Sequence, residues 1–110
     1  MRGLLPAIAG GALVVLLGAA LPAVAASRSQ RGASDFAAAG CIHCHSIDGV
    51  GGYKGPNLSD VGRTVKKAAI RRQIFKGGKG MPPFGHALAR DEIKDLVAYL
   101  RTCRTKPAGE

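Results

Sequence analysis

The spacing of apolar side chains divides this chain into one long uncharged run and three helical segments. Residues 3–27 carry no charge. Further along, apolar side chains recur at helical spacing within residues 35–44, 64–76 and 90–102. The last segment has the clearest stripe, at positions i, i+3, i+4 and i+7: Ile93, Leu96, Val97 and Leu100. No segment alternates polar and apolar residues as a half-buried strand does, so the pattern predicts an all-α domain with long loops.

Residues at the segment ends set the expected helix boundaries. Ser34 is the predicted N-cap of the first helix, and Thr64 is the predicted N-cap of the second. Gly77 or Gly78 is expected to end the second helix. The intervening segments 46–63 and 77–84 are rich in glycine and proline, which predicts ordered loops.

The uncharged N-terminal run is predicted to be an export signal. Arg2 provides a basic start and Pro22 breaks the apolar run. Ala23 and Ala25 then occupy the two positions that a signal peptidase reads, which predicts a cut after Ala25 or nearby. An uncleaved membrane anchor is the alternative, because the run is long enough to span a bilayer. The protein is therefore expected in the periplasm, or at the inner membrane if the anchor is kept.

The chain is expected to form a single small domain. We divide it into a signal peptide (1–25), a flexible tail (26–33), the domain (34–104) and a C-terminal tail (105–110). A domain of roughly 70 residues buries little apolar surface, so it usually needs disulfides, a metal or a large cofactor.

One short motif points to that cofactor. Cys41 and Cys44 are separated by two residues, and His45 follows directly. Two thiols one helical turn apart can bond the vinyl groups of one haem, and the adjoining imidazole can then bind the iron. A thioredoxin-like thiol pair would need strands, and a zinc site would need a second ligand pair. The motif therefore predicts one covalent haem c with His45 as an axial iron ligand.

A second axial ligand is expected from the loop that follows the second helix. Met81, the one methionine of the domain, lies between Gly80 and Pro82. Glycine lets the backbone approach a flat ring, and Pro82 favours an extended Met81. Met81 is therefore the predicted sixth ligand, and His86 is the competing candidate. His43 lies inside the attachment motif and cannot reach the opposite haem face.

Cys103 is assigned neither to haem attachment nor to iron ligation. It stands alone near the C-terminus, and a disulfide to Cys41 or Cys44 would compete with haem attachment. We interpret it as an unpaired, partly buried thiol on the last helix, with an intermolecular disulfide as the alternative.

Four stretches together resemble the class I, single-haem bacterial cytochromes c, close to the short-chain cytochromes related to the haem subunits of cbb3-type oxidases. They are Ala39–His45, Gly55–Leu58, Met81–Phe84 and Ile93–Leu100. The resemblance covers about residues 35–103 and implies a small class I cytochrome c fold, with helices packed around one haem. It implies that Gly40 lets the first helix cross the last closely, with Tyr99 filling the contact. It also implies that the Pro56 carbonyl accepts a hydrogen bond from His45.

Positive charge dominates the composition, with 16 Lys plus Arg against 7 Asp plus Glu. No acidic residue lies between Asp60 and Asp91. Six basic residues crowd into residues 66–79: Lys66, Lys67, Arg71, Arg72, Lys76 and Lys79. No nucleic-acid-binding motif accompanies them, so the expected partners are acidic redox proteins such as an oxidase, reductase or dehydrogenase.

The expected function is single-electron transport by a monomer. The alternative is a haem c subunit of a larger oxidoreductase complex whose catalytic centre lies on another chain. We do not expect an enzyme, because a dihaem peroxidase needs two attachment motifs and an open iron site, whereas this chain has one motif and a predicted sixth ligand.

Overall fold

The computed structural model describes residues 3–106 except 7, 8 and 23. The helices are α1 (Arg28–Ala38), α2 (Val61–Thr64), α3 (Lys67–Lys76) and α4 (Arg90–Thr102), with a 3₁₀ turn at Cys41–His43. Two short antiparallel strands, β1 (Ser46–Ile47) and β2 (Val50–Gly51), pair with Ser46 opposite Gly51 and Ile47 opposite Val50. The molecule is therefore helical, as predicted, with a small sheet added.

Helix α1 begins at Arg28, well before the predicted start at Asp35. Ser27 caps it: the Ser27 hydroxyl accepts a hydrogen bond from the backbone N–H of Gln30 at 3.2 Å. In return, the Gln30 side chain accepts from the Ser27 backbone N–H at 2.8 Å, which completes a capping box. The predictions of a Ser34 cap and a flexible tail over residues 26–33 are therefore wrong, because residues 28–33 are helical.

Two arginines attach the start of α1 to a buried acid on α4. The Asp95 carboxylate accepts from Arg28 Nη1 at 3.0 Å and from Arg31 Nε at 3.0 Å. The Asp95 side chain is only 7% exposed, whereas the two arginine side chains are about half exposed. A buried carboxylate is costly unless it is paired, so these contacts bind the polar start of α1 to the domain.

The close crossing of α1 and α4 occurs at Gly32. A Cβ atom on Gly32 would lie 2.0 Å from the carbonyl oxygen of Asp95 and 2.7 Å from the Cβ atom of Tyr99. Gly40 instead adopts φ +84° just after the end of α1, where glycine commonly ends a helix. The crossing role implied for Gly40 is therefore wrong, although Tyr99 does lie at the crossing, where its ring packs edge-on against Phe36.

The β1–β2 hairpin falls within a segment that the sequence pattern assigned to a loop. Asp48 and Gly49 join the strands with φ values of +50° and +82°. Positive φ at both central residues is the geometry of the tight turn that Asp-Gly favours. The Asp-Gly pair is therefore the hairpin signal, because strands of two residues are too short to show polar–apolar alternation.

The core lies between α1, α3 and α4. The predicted bounds of α4 are confirmed, and its apolar stripe is buried. The core comprises Phe36, Ile70, Ile74, Ile93, Leu96, Val97, Leu100 and Cys103. Helix α3 begins at Lys67 and has no side-chain cap, because Thr64 belongs to α2, where its hydroxyl donates to the Asp60 carbonyl.

The end of α4 is tied to the loop before α2. The Gly62 N–H donates to the Cys103 carbonyl at 2.8 Å, and the Thr105 N–H donates to the Ser59 carbonyl at 2.9 Å. Cys103 itself is 7% exposed, which supports an unpaired buried thiol over an intermolecular disulfide. Burial raises the pKa of this thiol.

Parts of the predicted signal peptide and C-terminal tail lie outside the described residues, namely residues 1, 2, 7, 8, 23 and 107–110. Within the described part of the chain, none of the helices has both the length and the apolar character needed to cross a membrane.

Candidate haem site

The predicted haem-binding residues surround a cavity of about 720 Å³. Cys41, Cys44 and His45 line one side, and Met81 lines the cavity from the loop after α3. Apolar side chains from the helices and loops complete the walls: Phe36, Leu58, Val61, Ile70, Ile74, Phe84, Leu96 and Leu100. Cofactor-binding cavities usually fall between about 300 and 1,000 Å³, so the size suits a large ligand.

The 3₁₀ turn presents both cysteines to this cavity. Backbone N–H groups of Cys44 and His45 donate to the Cys41 carbonyl at 3.2 and 2.9 Å. This turn brings the thiols of Cys41 and Cys44 to the same side of the chain, and both are free and half-buried. Burial raises the pKa of the Cys41 thiol.

His45 is fixed by the loop that follows β2. Its Nδ1 lies 2.8 Å from the carbonyl oxygen of Pro56. A carbonyl oxygen can only accept, so Nδ1 carries the proton and Nε2 keeps a lone pair for a metal. The ring also lies against the backbone of Gly55, where a Cβ atom would approach Cε1 to 2.5 Å. The loop thus sets both the tautomer and the orientation of the imidazole.

Backbone hydrogen bonds hold the Met81 loop against the end of α3. Gly78 and Met81 exchange two of them, at 2.9 and 3.1 Å. Further on, the N–H groups of Phe84 and Gly85 donate to the carbonyls of Ile74 and Phe75, at 2.9 and 3.0 Å. These carbonyls belong to the last turn of α3, where helical acceptors lack intrahelical partners. The position of Met81 is therefore set by the C-terminal turn of α3.

Gln73 is a site residue that the sequence reasoning did not assign. Its Nε2 lies 3.7 Å from the Met81 sulfur and 3.3 Å from the Gly78 carbonyl oxygen. In the sequence, Gln73 is a polar residue on the same side of the helix as Ala69 and Ile70. A polar side chain on that side was the signal that could have identified it as a site residue. A thioether is a weak hydrogen-bond acceptor, so this contact affects the electron donation of the sulfur more than it fixes the position of the sulfur.

Two other histidines lie away from the cavity. His86 is not part of the cavity wall, and its ring packs edge-on against Phe75 with centroids 5.8 Å apart. His43 is exposed and also lies outside the wall.

The donor set fits one covalently held haem. Two thiols lie one turn apart, an imidazole nitrogen keeps its lone pair, and a thioether sulfur lies in the wall of the same cavity. Imidazole and thioether are established axial ligands of haem iron, and apolar walls limit solvent access.

Comparison with known proteins identifies the family. Residues 27–100 match the family described as cytochrome c oxidase, cbb3-type, subunit III. The chain belongs to the class I c-type cytochromes. This cytochrome accordingly carries one covalent haem c and transports electrons, as the attachment motif predicted.

Two relatives and one solved structure extend the match. The chain is 35% identical over 105 residues to cytochrome c6 of Nostoc sp., covering 79% of this chain and 86% of the relative. It is 36% identical over 62 residues to cytochrome c-550 of Bacillus subtilis, covering 56% of this chain but only 49% of that relative. The fold resembles the c-type cytochrome SorU of Sinorhizobium meliloti, with a TM-score of 0.59 at 22% identity, over 70% of this chain and 91% of SorU. The predicted fold class is thereby confirmed.

Proposed function

We propose that this cytochrome is a mobile one-electron carrier whose iron is ligated by His45 and Met81. The observation that carries the proposal is that both side chains line the same cavity as the two cysteines. When bound, haem c supplies an iron that alternates between the ferrous and ferric states. Cys41 and Cys44 hold the group covalently, so a diffusing protein does not lose it.

The protein contributes orientation and a fixed coordination sphere. The Pro56 carbonyl accepts the Nδ1 proton of His45, which raises the basicity of Nε2 and prevents rotation of the ring. The anchored loop presents Met81 without a large movement. If both His45 and Met81 held the iron, the structural change between its two oxidation states would be small. No position would then remain for a substrate, which supports electron transport over catalysis.

A haem subunit of a larger oxidoreductase complex is the second candidate. The description of the matching family, an oxidase subunit, favours it. Small size and a strong positive charge favour the free carrier, because both suit brief encounters with acidic partners. Co-purification with other chains at fixed stoichiometry would favour the subunit.

Export to the periplasm, with cleavage after Ala25, completes the proposal. Residues 24–26 are exposed and lie outside any helix, which suits a processing site. Retention of the apolar run as an inner-membrane anchor is the alternative, and the mass of the purified protein distinguishes the two.

Absorption spectra of the oxidised and reduced holoprotein test the ligand assignment. We expect a c-type reduced spectrum and, in the ferric protein, the charge-transfer band of a methionine–iron bond. Met81→Ala should abolish this band, because Met81 is the only methionine among the residues that the structure describes. His86→Ala is the matched control and should retain it, since His86 packs on Phe75 instead. A band that persists in Met81→Ala would refute the assignment.

A further inference from the structure

We propose that the buried Ser59 is a positioning residue for the axial imidazole of His45, on which it acts through the loop that carries the Pro56 carbonyl. This inference rests on the proposed ligation of the iron by His45. Ser59 is not part of the cavity wall, and it is only 5% exposed. A buried hydroxyl is costly unless it is hydrogen-bonded, so the partners of Ser59 show what it holds together.

The hydrogen bond that orients His45 joins two separate segments of the chain. His45 directly precedes β1, whereas its acceptor Pro56 lies in the loop after β2. The position of one segment relative to the other therefore sets the geometry of this bond. Backbone hydrogen bonds help to hold the segments together, as when the Leu58 N–H donates to the Ser46 carbonyl at 2.8 Å. Almost any side chain permits such backbone bonds, so they do not depend on a particular residue.

The Ser59 hydroxyl adds a side-chain connection between the same two segments. Its Oγ accepts from the Asp48 N–H at 2.8 Å and donates to Asn57 Oδ1 at 2.6 Å. Asp48 lies three residues after His45, and Asn57 directly follows Pro56. One hydroxyl thus bridges the segment that carries the imidazole and the segment that carries its acceptor.

The same bridge holds the peptide group whose oxygen accepts from His45. That group joins Pro56 to Asn57, and the proline ring fixes φ on one side of it. On the other side, Asn57 Oδ1 accepts from the Ser59 N–H at 2.9 Å, which closes a turn that begins at Asn57. Rotation of the peptide group would disturb this turn, so the carbonyl stays directed at the imidazole.

A firmly held acceptor matters for electron transfer. The hydrogen bond from Nδ1 of His45 to the Pro56 carbonyl raises the basicity of Nε2, and a more basic ligand favours ferric iron when haem c is bound. A looser bond therefore raises the reduction potential. Ser59 accordingly helps to set the reduction potential of the iron, although it lies outside the cavity wall.

Ser59→Ala removes the bridge with little change of shape. In the ferrous holoprotein, NMR follows exchange of the His45 Nδ1 proton with solvent, and loss of the bridge should accelerate this exchange about tenfold. If the looser bond shifts the ferric-to-ferrous preference about threefold, the reduction potential rises by about 30 mV. Asn57→Ala removes the other end of the bridge at an exposed position, and it should act in the same direction even if Ser59→Ala folds poorly.

Two control variants separate positioning from a general loss of stability. Ser34→Ala removes an exposed hydroxyl from α1, and Gly32→Ala crowds the crossing of α1 and α4. Neither should change the exchange rate or the reduction potential, because neither touches the loop that carries Pro56.

The two readouts also separate this inference from the proposed function. An exchange rate or a potential that stays unchanged in both Ser59→Ala and Asn57→Ala would overturn the role of Ser59 and leave the carrier function intact. Equal changes in Gly32→Ala would also overturn it. Absence of reversible electron transfer in the unaltered protein would instead overturn the carrier function.

Discussion

Replacing Gly32 by alanine should destabilise the protein, although alanine is the better helix former. In an exposed helix interior this substitution stabilises by about 1 kcal/mol. Here the added Cβ would lie 2.0 Å from the Asp95 carbonyl oxygen and 2.6 Å from its carbon. Ordinary carbon–oxygen contacts are about 3.3 Å or longer, so α1 and α4 would have to separate by roughly 1 Å.

The separation determines the size of the effect. A gap of about 0.5–1 Å forfeits a quarter to a half of the dispersion energy of each contact across it. It would also stretch the 3.0 Å bonds from Arg28 and Arg31 to Asp95. Overpacking of this kind costs about 1–3 kcal/mol, and weakened hydrogen bonds to a buried carboxylate add to it. If the weakened hydrogen bonds cost about 1 kcal/mol, they offset the helix-propensity gain, and we expect a net loss of about 1–3 kcal/mol.

Urea unfolding of the ferric holoprotein, followed by far-UV circular dichroism, measures this loss. Ala33→Gly is the matched control: Ala33 is the exposed neighbour of Gly32 in α1, and its replacement should cost only about 1 kcal/mol through helix propensity. We expect Gly32→Ala to be the less stable of the two. If Gly32→Ala were more stable than the unaltered protein, the close crossing at Gly32 would be refuted.

Two further substitutions test contacts near the haem and at the end of α4. Gln73→Leu removes a donor to the Met81 sulfur, so the sulfur donates more strongly to ferric iron and the reduction potential should fall by roughly 20–40 mV. Spectroelectrochemical titration measures the reduction potential, with Lys67→Gln as a control on α3. An unchanged or raised potential in Gln73→Leu would contradict the contact between Gln73 and the Met81 sulfur. Cys103→Ala tests how the free energy of unfolding depends on pH. Because burial raises the pKa of the Cys103 thiol, the folded chain keeps a proton that the unfolded chain releases above about pH 8.5. The free energy of unfolding should therefore decline as the pH rises beyond that value, and it should decline less steeply in Cys103→Ala. Urea titrations at pH 7 to 10 measure this free energy in both proteins, and identical slopes against pH would contradict the role of Cys103.

The parts of the fold that sequence reasoning predicted are those with local causes. Helix α4 carries its own apolar stripe, and its bounds were predicted correctly. The cysteine spacing follows from the covalent chemistry of haem attachment, which does not depend on distant residues. The family comparison confirmed that cofactor.

The parts that were missed depend on distant residues. The polar residues 28–33 resemble a disordered tail because their main stabilising partner, Asp95, lies more than sixty positions away. Gly32 acquires its role only once α4 crosses it. Gln73 reaches Met81 because the loop folds back onto α3, which a helical pattern alone does not show.

The early start of α1 also limits how this cytochrome could move if its apolar run were kept. Ser27 is already part of the folded domain as the cap of α1. Between the expected cut after Ala25 and that cap lies one residue, Ala26, so the free chain would span at most about 7 Å. A domain on so short a tether would stay pressed against the bilayer and could not swing between distant partners. Wide-ranging electron delivery by this protein therefore depends on cleavage of the apolar run.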